Sequence, residues 1–282
     1  MSNLILHAGG YSASLSDITN VSTPKPTTSH YPISHRLFLD TVLDALSYHG
    51  YAITRQDHGL MGKGGEDYFG VITLSHPSFT NPDYAHTLGL RNTHRMRFSA
   101  QAVLGTRVFV CDNLAFRSSD AIVKFSRKHT AFILRDFPRI CIDKVAELPS
   151  YFADTDMQIS RWKSLLLGHD PVDVRKNAAD LCMTALTKGA TNGRLLPHVW
   201  REFNRPDGPG GHSSLKGSSM WSLFNAFTEV EKTTDSPAES QRRTARLSTI
   251  LDGTCRVIDD EAEARREFAD SLPLVFEDSL FA

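Results

Sequence analysis

No two cysteines of this chain stand in a CxxC pair; Cys111, Cys141, Cys182 and Cys255 lie 30, 41 and 73 residues apart. That spacing excludes the common zinc ribbons and the thiol–disulfide motif, and the expected state is buried, reduced thiols. Long apolar runs are lacking too. The first ten residues, MSNLILHAGG, hold a run of three apolar residues and no charged leader, too little for a signal peptide or a membrane span. A cytoplasmic protein with no membrane partner is the expectation. The glycine-rich stretch GLMGKGGED is not a phosphate loop, because Lys63 is followed by Gly64 where a Walker A motif needs Ser or Thr. There is no G-x-S-x-G elbow, no internal repeat and no sustained heptad. Nothing implies a cofactor, and no catalytic residue is singled out.

What is present begins with an uneven charge. The 282 residues carry a net charge of −1. Between Arg91 and Arg135, however, nine Lys/Arg face only Asp112 and Asp120, a surplus of seven positive charges. Asp259 to Asp278 holds eight acids against Arg265 and Arg266, a deficit of six. A basic middle and an acidic tail need separate explanations.

Local patterns predict a sheet half followed by a helical half. Residues 1–33 read as an arm and linker, because 20–32 is rich in Thr, Ser and Pro. Ser34 caps a helix over 35–49 that places Phe38, Val42, Ala45 and Leu46 on one face and stops at Gly50. The β-branched and aromatic runs YAITRQ, YFGVITLSH and YAHTLGLRN read as an antiparallel meander, with loops at 57–67 and 77–83. TRVFVCDNLAF is the strongest strand, preceded by a small-residue turn, and AIVKFSRK pairs with it. From 130 to 258 the pattern is helical: a helix capped by Thr130 and kinked at Pro138, one launched by Asp170–Pro171 and stopped at Gly189, and the apolar MWSLFNAFTEV. The fold class is therefore α+β: an antiparallel sheet of about five strands over 34–129 with a flanking helix, a mainly helical region over 130–258, and an acidic tail over 259–282.

The candidate site is the basic stripe. Alternation along a strand sends Arg91 and Thr93 to one face and Asn92 and His94 to the other, and Arg95 and Arg97 extend the spacing if the chain stays extended. Arg107, Lys124, Arg127 and Lys128 belong to the following strands. Charge delivered by successive segments suits phosphodiesters, since each engaged phosphate releases counterions. Asn92, Thr93, His94 and Asn113 add neutral donors, and Phe98, Phe109 and Phe116 offer stacking planes for unpaired bases. The expected ligand is single-stranded DNA or RNA; the plain alternative is a solvated edge whose arginines pair with the chain's own acids. A metal site would draw on His94, Asp112 and His129, yet nuclease metals usually take two or three carboxylates and this region offers few. The acidic, aromatic tail either recruits a protein partner, covers the stripe, or frays.

Two stretches together, LGLRNTHRMRFSAQAVLGTRVFVCDNLAF with KHTAFILRDFP, and MWSLFNAFTEV with QRRTARLSTILD, resemble the phage- and plasmid-encoded family known as domain of unknown function 932. The resemblance runs from His7 to about Cys255 and leaves the acidic tail outside. It implies a setting rather than a reaction: mobile elements in a bacterial cytoplasm, where recombination, replication and evasion of host defence are the common tasks. The leading expectation is a single-stranded nucleic-acid-binding protein, an annealing protein working as a homo-oligomer. The others are an inhibitor of a host defence factor and a metal-dependent nuclease.

Overall fold

A computed structural model describes residues 10–79, 81, 84–108, 114–116, 124–232 and 237–271. Its sheet is antiparallel, with strands β1 (Tyr11–Ser12), β2 (Ala52–Met61), β3 (Asp67–Ser75), β4 (Tyr84–Thr93), β5 (Ala100–Val108) and β6 (Leu114–Phe116) in sequence order, while β7 (Lys124–Arg127) pairs with the first half of β5. Seven strands exceed the expected five or so; TRVFVCDNLAF is not one strand, because Arg107 at the end of β5 pairs antiparallel with Leu114 of β6, and two strands differ in extent. β2 runs on through Gly59 to Met61, so the expected loop at 57–67 shrinks to a turn at 62–66. The expected small-residue turn before the strongest strand is itself strand: Ala100 and Ala102 are fully buried and let helices lie close above them.

The covering helices follow from their caps and stripes. α1 (Leu15–Asn20) sits within the expected linker, closed by a capping box between Ser14 and Asp17. α2 (His35–Tyr48) starts where Ser34 accepts a hydrogen bond from the Leu37 backbone, and Gly50 beyond its end has φ +79°. Its Phe38, Leu39, Val42 and Leu46 pack on Tyr68, Ile72, Leu88, Leu90, Ala102 and Leu104, one face of the sheet. α3 (Ile133–Ala146) joins that core through Ile133, Phe137, Cys141 and Val145. Thr130 does not cap it with its side chain; its hydroxyl has no partner. The long helix expected across Pro138 ends instead at Glu147, and α4 (Leu148–Ser164) begins with Pro149 in its first turn. Burial pushes the Cys141 thiol up to about 12, as expected for an inert core cysteine.

The second core belongs to the helices. α5 (Pro171–Thr187) is capped by Asp170 and followed by Gly189 at φ +70°, as its sequence signals. α6 (Leu196–Phe203) is short, α7 (Met220–Glu231) is central, and α8 (Pro237–Ser271) is the longest. Every residue of α7 except Glu229 is buried, and an apolar helix can only be stable in such a position. Trp162, Trp221 and Phe224 stack within it, the ring centres of Trp162 and Phe224 lying 4.8 Å apart. α8 continues through the start of the expected tail, its helix ending at Ser271. Among the described residues no helix is long and apolar enough to cross a membrane.

Candidate nucleic-acid interface

At the end of β4 the alternation of side chains holds: Arg91 and Thr93 share one face with their neighbours Phe69 and Asp67, and Asn92 and His94 point to the core. That placement corrects the expectation for Asn92 and His94, which are 0% and 5% exposed and unavailable to a ligand outside. They fasten the arm instead. Asn92 Nδ2 donates to the Ile33 carbonyl at 3.1 Å and to His35 Nδ1 at 2.9 Å, while His35 Nε2 donates to the Gly65 carbonyl at 2.9 Å. His94 Nε2 donates to the Ile33 carbonyl at 3.1 Å, and His30 Nε2 to the His94 carbonyl at 3.2 Å. A carbonyl only accepts, so each of these nitrogens carries the hydrogen, and the neutral rings have a fixed tautomer.

The histidines share one neighbourhood. The rings of His35 and His94 stack 4.0 Å apart at 3°, and His129 lies 5.2 Å from His30. Burial, then the neighbouring histidines, lowers His35 to about 4; burial and His30 lower His129 to about 4; burial also lowers His94. His35, His94 and His129 are therefore uncharged at neutral pH. His94 Nε2 is engaged by the Ile33 carbonyl, Asp112 lies outside the described residues, and among those described no group of three His, Cys, Asp or Glu is arranged for a metal.

Asp67 organises the arginines. It is 1% exposed and accepts hydrogen bonds from Thr93, Arg95 and, at 3.2 Å, Arg97. Burial works to raise its carboxyl, but the bonds from Arg95 and Thr93 outweigh it and hold it below the usual range. Arg95 and Arg97 therefore do not continue the strand. The chain turns after Thr93, with the Arg95 amide donating to Thr93 Oγ1 at 3.0 Å and the Arg97 amide to the Arg95 carbonyl at 2.8 Å. Their side chains remain 40% and 59% exposed, so each presents an outer edge of its guanidinium. Arg91 is separate again. It is half-buried on the same sheet face as Asp67, one pair further along the ladder, its guanidinium 5.0 Å from the Phe98 ring, and burial together with Arg242 lowers its pKa.

The remaining cations gather at this same end. The register pairs Ala100 with Arg127, placing Lys128 at the edge beside the Arg95–Phe98 turn. Arg127 binds Asp136 at 2.6 Å, and Arg135 binds the same carboxylate at 2.8 Å. The β2–β3 turn brings Lys63; Gly62 and Gly65, at φ +92° and +72°, supply conformations that other residues rarely adopt. Lys63, Arg95, Arg97, Arg127, Lys128 and Arg135 thus face Glu66, Asp67 and Asp136, a surplus of three positive charges. Met96 (72% exposed) and Phe132 (56%) stand among them, and the Arg135 guanidinium lies 4.5 Å from the Phe132 ring.

Of the expected stripe, Arg95, Arg97, Arg127 and Lys128 lie at one end of the sheet, Asn92 and His94 are buried, and Arg91 is half-buried against Phe98. The side chains of Arg107 and Lys124 lie outside the described part of the structure. Lys63, Met96, Phe132 and Arg135 were not anticipated. Lys63 sits in the turn set aside as a failed phosphate loop, and the exposure of Phe132 and Arg135 follows from their position at the start of an amphipathic helix. No family model, curated protein or solved structure matches the chain.

Proposed function

We propose that the chain binds single-stranded nucleic acid across this basic end of the sheet. The observation that supports the reading most is the exposed aromatic ring of Phe132 with the Arg135 guanidinium on one of its faces, at the end of the sheet where Lys63, Arg95, Arg97 and Lys128 also stand exposed. A strand laid here would place phosphates against Lys63, Lys128 and the outer edges of Arg95 and Arg97, releasing counterions. An unpaired base would stack on the free face of Phe132, an interaction tolerant of sequence. Such a site neutralises the backbone and leaves other bases open, which suffices for annealing. The resemblance to a phage- and plasmid-encoded family supports extending the reading to recombination or replication of such an element, with the protein working as an oligomer.

The test is binding of labelled single- and double-stranded oligonucleotides, with and without Mg²⁺. The reading expects salt-sensitive binding that favours single strands and needs no metal, narrowed to no preference by Phe132→Ala. Metal-dependent cleavage would replace it with the nuclease reading. Absence of binding to either nucleic acid would replace it with recognition of an acidic protein.

A further inference from the structure

Arg95, Arg97, Arg127 and Arg135 each meet a carboxylate; Arg91 meets none among the described residues. It is half-buried on β4, and its Nε is sealed from water without a hydrogen-bond partner. The acids that the ladder puts on the same sheet face are engaged elsewhere. Arg95 and Arg97 hold Asp67, and Arg55 holds Asp57, the residue opposite Val71, at 3.0 Å. The Phe98 ring covers one face of the Arg91 guanidinium at 5.0 Å. Its N–H groups point outward in the guanidinium plane, where a ring face offers no acceptor. Burial lowers the pKa of Arg91, and a second cation, Arg242 of α8, lowers it further. α8 also packs on β6, the strand paired with β5.

A second buried polar group is open directly across the ladder. Gln101 of β5 pairs with Arg91, is 5% exposed, and its Oε1 has no partner. Residues opposite one another share a face, with Cβ atoms about 5 Å apart. Because no bond holds Oε1, a half-turn of the amide exchanges it for Nε2 and sets a donor beside Arg91. We infer that Arg91, Gln101 and Arg242 form an anion site whose ligand is a phosphomonoester. Such a group carries about two negative charges at neutral pH, enough to offset both arginines, and its oxygens suit the fork of a guanidinium. A phosphodiester or a carboxylate would offset only one. The site goes beyond the proposed strand-binding face, which uses none of these three residues. Its phosphate belongs either to a free nucleotide or to the 5′ end of a strand.

The test compares the unaltered protein with Arg91→Met, which keeps an apolar stem against Phe98 and removes the charge and the donors. In phosphate-free buffer the variant should melt no lower than the unaltered protein, because a half-buried charge without a counter-charge is gone. Inorganic phosphate near saturation should raise the melting temperature of the unaltered protein by about 2–3 °C more than that of the variant. The difference between the two removes the general stabilisation that phosphate gives any protein. Two further titrations identify the source. A single-stranded oligonucleotide bearing a 5′-phosphate that binds at least about tenfold tighter than its 5′-hydroxyl form, only when Arg91 is present, makes it a strand end. Adenosine 5′-monophosphate binding that requires Arg91, with the two oligonucleotides alike, makes it a free nucleotide. An equal response of both proteins to phosphate would overturn the site. So would a variant that melts far below the unaltered protein, which would give Arg91 to the fold instead.

Discussion

The helical core and the sheet core of this molecule solve burial in opposite ways. Around α7 the interior is aromatic and aliphatic, with Trp162 and Trp221 each packed against Phe224. Under the basic end of the sheet the interior is polar: His35, Asp67, Asn92 and Thr93 are each at most 1% exposed, and His30, His94 and His129 lie beside them. An apolar core gains from area alone and tolerates displacement. A polar one is stable only while each donor finds its acceptor, so it fixes geometry, here that of the turn carrying Arg95 and Arg97.

Truncation should separate the two regions most sharply. Phe224→Ala should cost about 3–5 kcal/mol in denaturant unfolding, through lost burial and a cavity. Asp67→Ala should cost somewhat less, about 2–4 kcal/mol, because Arg95 and Arg97 can turn to water once their carboxylate is gone. If Asp67→Ala proved neutral, the arginines would not depend on it and the contrast would fail.

Acid should act on one core alone. The folded histidines titrate below their unfolded value: His35 and His129 near 4 against about 6.5. Between these values the unfolded chain binds more protons, so stability is full above about pH 6.5 and declines as pH falls toward 4, by something on the order of 3 kcal/mol for each ring. Asp67, whose carboxyl is lowered, adds a further loss below about pH 3.8. His129→Phe should flatten the upper part of the decline in a pH series of unfolding free energies; an unchanged slope would show that the ring titrates normally. The smallest stability effect belongs to Phe132→Ala. With its ring 56% exposed, the change should leave the melting temperature nearly unaltered while weakening single-strand binding by about 1–3 kcal/mol.

Much of the architecture was legible because local signals agreed with it. Ser34, the spacing of Phe38, Val42 and Leu46, and Gly50 define α2 in sequence as they do in space. α7 announced an apolar face through Trp221, Phe224 and Phe227, but not the burial of Ser222, Asn225, Thr228 and Glu231 on its other sides. β5 was misread because Ala100, Gln101, Ala102 and Gly105 have weak strand propensity; they are strand because the ladder and the close helices above reward small residues there. Gly59 hid the second half of β2 in the same way. For the site, alternation correctly separated Arg91 from Asn92 but could not say which side was the core. A polar residue becomes a core residue when a distant backbone supplies its partner, here the Ile33 carbonyl for both Asn92 and His94. Asp67 gave no signal of its own, since the arginines it holds follow it by 28 and 30 residues.

Arginines that brace Asp67 confuse binding with stability, so the nucleic-acid reading is best tested through cations free of that duty. Lys63, Lys128 and Arg135 are exposed and none of them bonds to Asp67. Affinity for a single-stranded oligonucleotide, followed across salt concentrations, should give a log–log slope that becomes shallower by about 2 when all three are changed to Ala, roughly 0.7 per lost phosphate contact, with the melting temperature preserved. A slope that is unchanged by the triple substitution, or binding indifferent to salt in the unaltered protein, would contradict a phosphate-binding face at this end of the sheet.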